Sequence, residues 1–153
     1  MSSIVFNGSY ITNKNTGIGV VSRDLLNSLS NENITSLVPK DIGINGDIYI
    51  PNNLSPGQGL KNHCRRFYWL QRVVPKIMNE LNAEYFFSPL LEAPLFTKVK
   101  SIVLAHDLIP LRYPSLSFLT LYHLTYVPLI LKQSKIILCN SNSTANDLNN
   151  FYK

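Results

Sequence analysis

The sequence predicts an α/β fold, in which a parallel sheet of about six strands is covered by helices on both faces. Short apolar runs alternate with longer stretches of helical periodicity, which is the pattern of strands joined by crossover helices. The runs SIVLA (101–105) and KIILC (135–139) are apolar almost throughout, as is typical of strands buried on both faces. A length of 153 residues suits one domain, 1–153, and a charged fraction of only 15% supports a packed core.

The first part of the chain divides at its prolines and glycines. An apolar run predicts a strand over 3–6, and leucines and valines at helical spacing predict a helix from about 18 to 30. Two further apolar runs predict strands over 34–38 and 47–50, and a proline ends each of them. Residues 52–59, which are rich in Asn, Pro and Gly, predict a mobile surface loop.

The second part predicts a long helix over 61–82 with one apolar stripe. Pro75 lies inside this helix and should kink or split it, since an interior proline costs about 3 kcal/mol. Strands are then predicted over 85–87, 101–105 and 135–139, with a helix over 116–133 between the last two. The stripe consists of Phe67, Leu70, Val73, Val74, Ile77 and Leu81, with Arg65, Arg66, Arg72 and Lys76 beside it.

Charge and motif content exclude several function classes. The net charge of +5 fits either simple solubility or attraction to anions, but no helix-turn-helix, zinc-ligand or RNA-binding pattern supports a nucleic-acid partner. No histidine pair has metal-ligand spacing, so neither a metal nor another cofactor is expected. Cys64 and Cys139 are predicted to be reduced, partly buried thiols, which fit a cytoplasmic protein. The chain begins without a signal peptide, and its most apolar stretch, 116–131, is too interrupted to span a bilayer.

Three segments at predicted strand ends are candidate sites, because ligands bind beyond the carboxyl ends of parallel strands. Gly17, Ile18 and Gly19 open the first helix, where backbone amides suit a phosphate, although a plain turn into the helix explains them too. Around Asn140, Ser141 and Ser143 the last strand turns into a helix, and either serine can cap that helix or help to bind an anion.

The third candidate segment, 106–114, follows the strand over 101–105. His106 can hydrogen-bond a sugar hydroxyl or hold a proton near neutral pH, or it is a buried histidine satisfied by a backbone carbonyl. Asp107 suits a catalytic role or a cap of the following turn. Arg112 is open to three interpretations: it binds a phosphate, pairs with Asp107, or lies in solvent.

Four segments, in this order, resemble the amino-terminal domain of the GT4 family of retaining glycosyltransferases, which have the two-domain GT-B fold. The segments are 16–26 (TGIGVVSRDLL), 67–75 (FYWLQRVVP), 106–114 (HDLIPLRYP) and 139–148 (CNSNSTANDL). The resemblance covers nearly the whole chain and implies a Rossmann-like domain. It also implies that Gly17 and Gly19 lie near the donor diphosphate or the acceptor, that His106 contacts the transferred sugar, and that Ser143 lies at the edge of the cleft.

In that family a second, carboxy-terminal domain binds most of the nucleotide sugar, and its glutamate pattern does not occur in this sequence. The expected function is therefore the acceptor side of sugar transfer in polysaccharide biosynthesis. A mannose- or glucose-like sugar would move to a glycan or lipid-linked acceptor, with a partner chain or continuation supplying the second domain. The alternative is a non-catalytic acceptor-binding or scaffold domain, whose basic helix touches anionic lipid at the inner face of the membrane.

Overall fold

A six-stranded, all-parallel sheet forms the centre of the molecule, in the order β3-β2-β1-β4-β5-β6. The structure is a computed structural model that describes residues 3–14, 16–29, 33–54 and 60–152. Helices flank the sheet, so the predicted α/β, Rossmann-like fold is confirmed. Residue 30 of the predicted first helix and residues 55–59 of the predicted loop lie outside the described residues.

The predicted strands agree with the structure to within one residue at each end. The strands are β1 (Ile4–Asn7), β2 (Ile34–Pro39), β3 (Ile48–Ile50), β4 (Tyr85–Ser88), β5 (Lys100–Ala105) and β6 (Ser134–Cys139). The α-helices are α1 (Gly17–Ser28), α2 (Leu60–Tyr68), α3 (Val74–Glu80), α4 (Ile109–Arg112), α5 (Phe118–Thr125), α6 (Val127–Gln133) and α7 (Asn142–Phe151). Short 3-10 turns cover Lys40–Ile42 and Asn52–Leu54, and the second of these begins the predicted loop.

The central strand β1 separates two apolar layers. Successive side chains of a strand point to opposite faces, so Val5 and Phe6, both fully buried, enter different clusters. Val5 packs in the cluster that holds Leu70 and Val74 from the segment around α3, whereas Phe6 packs in the cluster that holds Leu26 of α1. A third cluster joins the end of β5 to α6. The strands are parallel, so their carboxyl ends all lie at one edge of the sheet.

The predicted long helix is divided at the place that its proline suggested. A π-helical turn, Trp69–Val73, separates α2 from α3, and Pro75 lies in the first turn of α3. The backbone stays helical through Val73 and Val74, and the Val74 N–H bonds to the carbonyl oxygen of Trp69 five residues earlier, so the proline is accommodated directly after the π turn. The predicted helix over 116–133 is divided in the same way, since Pro128 lies in the first turn of α6.

The predicted apolar stripe is wrong at both of its ends. Phe67 and Leu81 are exposed, while Arg66 and Trp69 are buried together with Leu70. The π turn inserts an extra residue and so rotates the preceding helix relative to the following one, which a single helical period cannot represent. The face of α2 that looks inward therefore carries a charged residue.

Two expectations about burial are also corrected. The run KIILC does not form a strand buried on both faces, because β6 is an edge strand whose Ile136, Ile137 and Leu138 are 39% to 44% exposed. Both cysteines are free, but only Cys139 is partly buried, and Cys64 is exposed on α2. An apolar run predicts a strand but does not report how many neighbours the strand has.

We expect the mutation Leu70→Ala to lower the free energy of unfolding by about 2 to 5 kcal/mol, because it leaves a cavity beneath α3. Phe67→Ala, one helical turn away, should cost less than about 1 kcal/mol, since that side chain is half exposed. Urea denaturation of both variants measures the difference. Equal losses would contradict the corrected stripe.

Candidate functional site

A pocket of about 320 Å³ opens at the carboxyl ends of β5 and β6. Its lining brings together five of the predicted site residues, although they come from two segments that residues 113–139 separate in the chain. The lining residues are His106, Asp107, Leu108, Ile109, Arg112, Asn140, Ser141, Ser143, Thr144 and Asp147. The pocket therefore joins the segment after β5 to the beginning of α7.

The His106 ring is held from one side and open on the other. Its Nε2 atom lies 2.8 Å from the carbonyl oxygen of Pro89, which follows β4. A carbonyl oxygen only accepts hydrogen bonds, so Nε2 carries the proton, and Nδ1 of the neutral ring is left as an acceptor. The predicted carbonyl partner is present, yet the half-buried ring still lines the pocket. His106 can thus accept a hydrogen bond from a ligand hydroxyl group.

Asp107 stabilises the turn that follows β5. Its Oδ1 atom accepts a hydrogen bond from the backbone N–H of Ile109 at 3.1 Å, where α4 begins. This is the capping arrangement that the sequence offered as one of two interpretations. One carboxylate oxygen is used in this way, and the residue also lines the pocket.

Arg112 forms an ion pair that was not among its three predicted interpretations. Its guanidinium contacts Asp147 of α7, with Nε 2.6 Å from Oδ2, and it donates a second hydrogen bond to Ser143 Oγ at 2.9 Å. The hydrogen bond with Asp147 and its negative charge raise the pKa of the Arg112 guanidinium. Because this charge is already paired, Arg112 closes one wall of the pocket more readily than it binds a phosphate.

The beginning of α7 is fastened to the end of β5 by hydroxyl groups. Ser141 caps the helix, because its Oγ accepts the backbone N–H of Thr144 at 3.1 Å, as predicted for one of the two serines. Thr144 Oγ1 in turn donates to the backbone carbonyl of His106 at 2.9 Å. The cap therefore also fixes the backbone that carries the histidine. Asp147 lies beyond the first turn of the helix.

The glycine segment lies apart from this pocket. Thr16 caps α1, and its Oγ1 accepts the N–H of Gly19 at 3.1 Å, so the Gly19 amide is engaged within the cap. The amides of Gly17 and Ile18 begin the helix and have no intrahelical acceptor. A Cβ atom on Gly17 would meet nothing within 4 Å, whereas one on Gly19 would lie 2.9 Å from Thr16 Oγ1. Strand β4 separates β1 from β5, so these two strands are roughly 10 Å apart across the sheet.

Sequence reasoning missed a buried charge cluster at the same edge. The Arg66 guanidinium of α2 is 3% exposed and donates through Nε to Glu92 Oε2 at 2.7 Å. Its Nη1 atom donates to Ser9 Oγ at 2.9 Å and to the carbonyl oxygen of Leu54 at 2.7 Å. The Tyr10 ring lies 4.0 Å from the guanidinium carbon. One side chain thus ties together the segments that follow β1, β3 and β4.

The charges in this cluster compensate one another. Burial, the largest single influence, lowers the pKa of the Arg66 guanidinium, but the charge and hydrogen bond of Glu92 together with those of Tyr10 raise it by more. Burial also raises the pKa of the Tyr10 hydroxyl well above its ordinary value. The only sequence signal for the cluster is that Arg66 precedes the buried Leu70 by one helical turn.

Within the described ranges, no three His, Cys, Asp or Glu side chains are grouped so that they could hold a metal ion. His123 is buried, and its Nδ1 atom lies 2.9 Å from the carbonyl oxygen of Leu119. His63 packs against the Phe118 ring. Neither of these histidines lines the pocket.

We expect Arg66→Met to lower the free energy of unfolding by about 3 to 5 kcal/mol, because it leaves the Glu92 carboxylate without its counter-charge. Arg65→Met is the matched control on the same helix, and it should cost less than about 0.5 kcal/mol since Arg65 is exposed. The double variant Arg66→Met/Glu92→Gln should regain part of the loss. Chemical denaturation measures all three, and similar values for the two arginine variants would refute the role given to the cluster.

Comparisons of the chain with protein-family models, with curated proteins and with solved structures found no significant match. The fold follows from the topology of the sheet, and the geometry of the pocket follows from its lining residues and their contacts. The resemblance to glycosyltransferases rests on the four sequence segments and stays a prediction.

Proposed function

We propose that this chain is the acceptor-side half of a retaining glycosyltransferase. It would help to move a mannose- or glucose-like sugar from a nucleotide sugar to a glycan or a lipid-linked acceptor, on the cytoplasmic side of a membrane. The observation that carries the proposal is the state of His106. This residue follows β5 and lines the pocket, its Nε2 is occupied by the Pro89 carbonyl, and its Nδ1 has no hydrogen-bond partner among the described residues. A fixed acceptor of this kind suits a sugar hydroxyl.

The architecture supports the same proposal. Ligands of open parallel sheets bind outside the carboxyl ends of the strands, and the pocket and the glycine segment both lie at that edge. In the resembled family the nucleotide sugar lies between this edge and a second domain. The open pocket and the first amides of α1 are then the two parts of this chain that face the donor.

In the proposed chemistry the main task of this chain is to position the transferred sugar and the diphosphate. Glycosyl transfer passes through an oxocarbenium-like transition state, in which fixed hydrogen bonds and dipoles stabilise the developing charge. His106 Nδ1 would hold a hydroxyl of the transferred sugar. The amides of Gly17 and Ile18 at the beginning of α1 would face the diphosphate, where the helix dipole favours negative charge. Arg112 would shape the pocket through its pair with Asp147.

The proposal is tested by joining the chain to a nucleotide-sugar-binding domain of the resembled family and measuring sugar transfer. His106→Ala should lower the rate roughly 100-fold, because the sugar loses its positioning hydrogen bond. His106→Gln should lower the rate as well, although its amide can still donate to the Pro89 carbonyl. Circular dichroism and thermal melts show whether either variant has lost its fold.

The glycine variants need separate treatment. Gly17→Ala probes the proposed diphosphate contact cleanly, since the added methyl group meets open space within the chain itself. Gly19→Ala is its steric control, because the methyl group presses on the Thr16 cap. If transfer is intact in His106→Ala and Gly17→Ala, the site assignment is wrong. If the joined protein binds an acceptor without transferring sugar, the chain is a scaffold domain instead.

A further inference from the structure

We propose that a face formed by α2 and α5 docks onto an anionic membrane surface. This face, here called the α2–α5 face, comprises Phe67 and Tyr68 of α2 with Phe118, Leu121 and Leu124 of α5. Its docking would bring the neighbouring pocket to an acceptor that is embedded in the bilayer. The statement about the acceptor rests on the proposed function, whereas the docking itself does not.

The two helices lie side by side. Near the beginning of each, the ring of His63 on α2 packs against Phe118 on α5, with 5.3 Å between centroids. Near their ends, Phe67 packs against Tyr126 at 5.4 Å. The helices therefore run in the same direction and adjoin at these ring contacts.

A helix on a protein surface in water usually buries its apolar residues and exposes its polar ones. In α5 this arrangement is reversed. Its buried residues are Thr120 and His123, which are polar. Phe118, Leu121 and Leu124, at intervals of three residues, face outward. The five side chains of the α2–α5 face are 51% to 64% exposed. Contiguous exposed apolar surface of this kind marks an interaction site.

The charges beside this apolar surface favour an anionic bilayer. Lys61 and Arg65 are exposed on α2 at the spacing that places them on the same side as Tyr68. The sequence has no aspartate or glutamate between Asp107 and Asp147, the stretch that contains α5. Apolar side chains flanked by cations fit anionic headgroups above acyl chains. A second copy of the chain would bring like charges together and is the poorer fit.

The basic helix suggested by the sequence is thereby redefined. Arg66 belongs to the interior, where Glu92 pairs with it, so it cannot contact lipid. Most of the exposed apolar side chains of the α2–α5 face belong to α5, which was predicted only as part of a longer helix over 116–133. No helix in the described part of the chain is long and apolar enough to cross a membrane.

The α2–α5 face adjoins the candidate pocket. Thr120 of α5 approaches the carbonyl oxygen of Pro110 in α4, with 3.5 Å between the two oxygen atoms. In the same short helix, Ile109 and Arg112 line the pocket. A bilayer against α5 would therefore lie next to the pocket wall, which suits an acceptor carried by a lipid.

Vesicle flotation with the whole chain tests the docking. We expect binding to vesicles of phosphatidylcholine with 30% phosphatidylglycerol, a composition of about one anionic lipid in three, and weak binding to pure phosphatidylcholine. Binding should fall as salt is raised, because the headgroup attraction is screened. In solution without lipid, sedimentation velocity should show a monomer.

Paired variants assign the binding to this face. Leu121→Gln/Leu124→Gln should weaken partitioning about tenfold or more, since two leucines no longer enter the acyl region. Lys61→Gln/Arg65→Gln should weaken it about 30-fold on anionic vesicles. The matched controls are Phe96→Asn, which removes an exposed aromatic ring elsewhere, and Lys98→Gln/Lys135→Gln, which removes the same charge elsewhere. Both controls should bind as the unchanged chain does.

Three results would overturn the proposal: no binding to anionic vesicles, equal losses in the control variants, or a lipid-free dimer that the leucine variant dissociates. The last result would assign the face to a second copy of the chain. Vesicle binding needs no sugar transfer, so failure of transfer with intact vesicle binding contradicts the proposed function alone. Transfer without vesicle binding contradicts the docking alone.

Discussion

A buried positive charge, the guanidinium of Arg66, organises the carboxyl edge of the sheet. Taking this charge out of water is unfavourable unless it is paired and hydrogen-bonded. Three chain segments supply partners for its Nε and Nη1 atoms through Ser9, Leu54 and Glu92, while Nη2 has no partner among the described residues. Because these partners of Arg66 lie inside the molecule, they also fix the rotation of α2 about its axis. With Arg66 facing inward, the neighbouring Phe67 and Tyr68 face outward. The orientation of α2 thus determines both the buried charge cluster around Arg66 and the exposed aromatic surface beside it.

The candidate pocket depends on a second set of links across the same edge. Thr144 joins α7 to the backbone of His106, and the Arg112–Asp147 pair closes the wall between α4 and α7. The histidine ring is oriented by Pro89, which follows a different strand. These contacts connect the segments after β4, β5 and β6, so the pocket exists only when the sheet is assembled in its observed order. A site of this kind is rigid at its base and open towards solvent.

The sequence was sufficient for the strands and for much of the site, and the physical reason is locality. Strands are marked by apolar runs and by the prolines that end them, and residues directly after the strands must share one edge of a parallel sheet. This places His106 and Ser141 near each other without any knowledge of contacts. Pairings between distant residues leave no such mark. The Arg66–Glu92 and Arg112–Asp147 pairs span 26 and 35 positions, and no periodicity connects their members.

Helix faces were predicted less well than helix positions, because a period reports which residues share a face but not what covers that face. For α2 the inserted π turn changed the phase between two halves of one stripe. For α5 the sequence is apolar almost all round, and only the packing against α4 and α7 decides that Thr120 and His123 face inward. The inner positions are taken by Thr120, whose hydroxyl contacts the Pro110 carbonyl, and by His123, whose ring contacts the Leu119 carbonyl of the same helix, so the leucines face outward.

Exposed apolar side chains lie both on β6 and on the α2–α5 face, and the backbone of each element decides what can cover it. At β6 the apolar side chains belong to an edge strand, whose outer N–H and C=O groups need hydrogen-bond partners. Acyl chains offer none, so a bilayer cannot cover that edge without leaving polar groups unsatisfied. In α5 the backbone groups are bonded within the helix, and burial in lipid removes only apolar side chains from water. A bilayer therefore fits the α2–α5 face and not the edge strand β6.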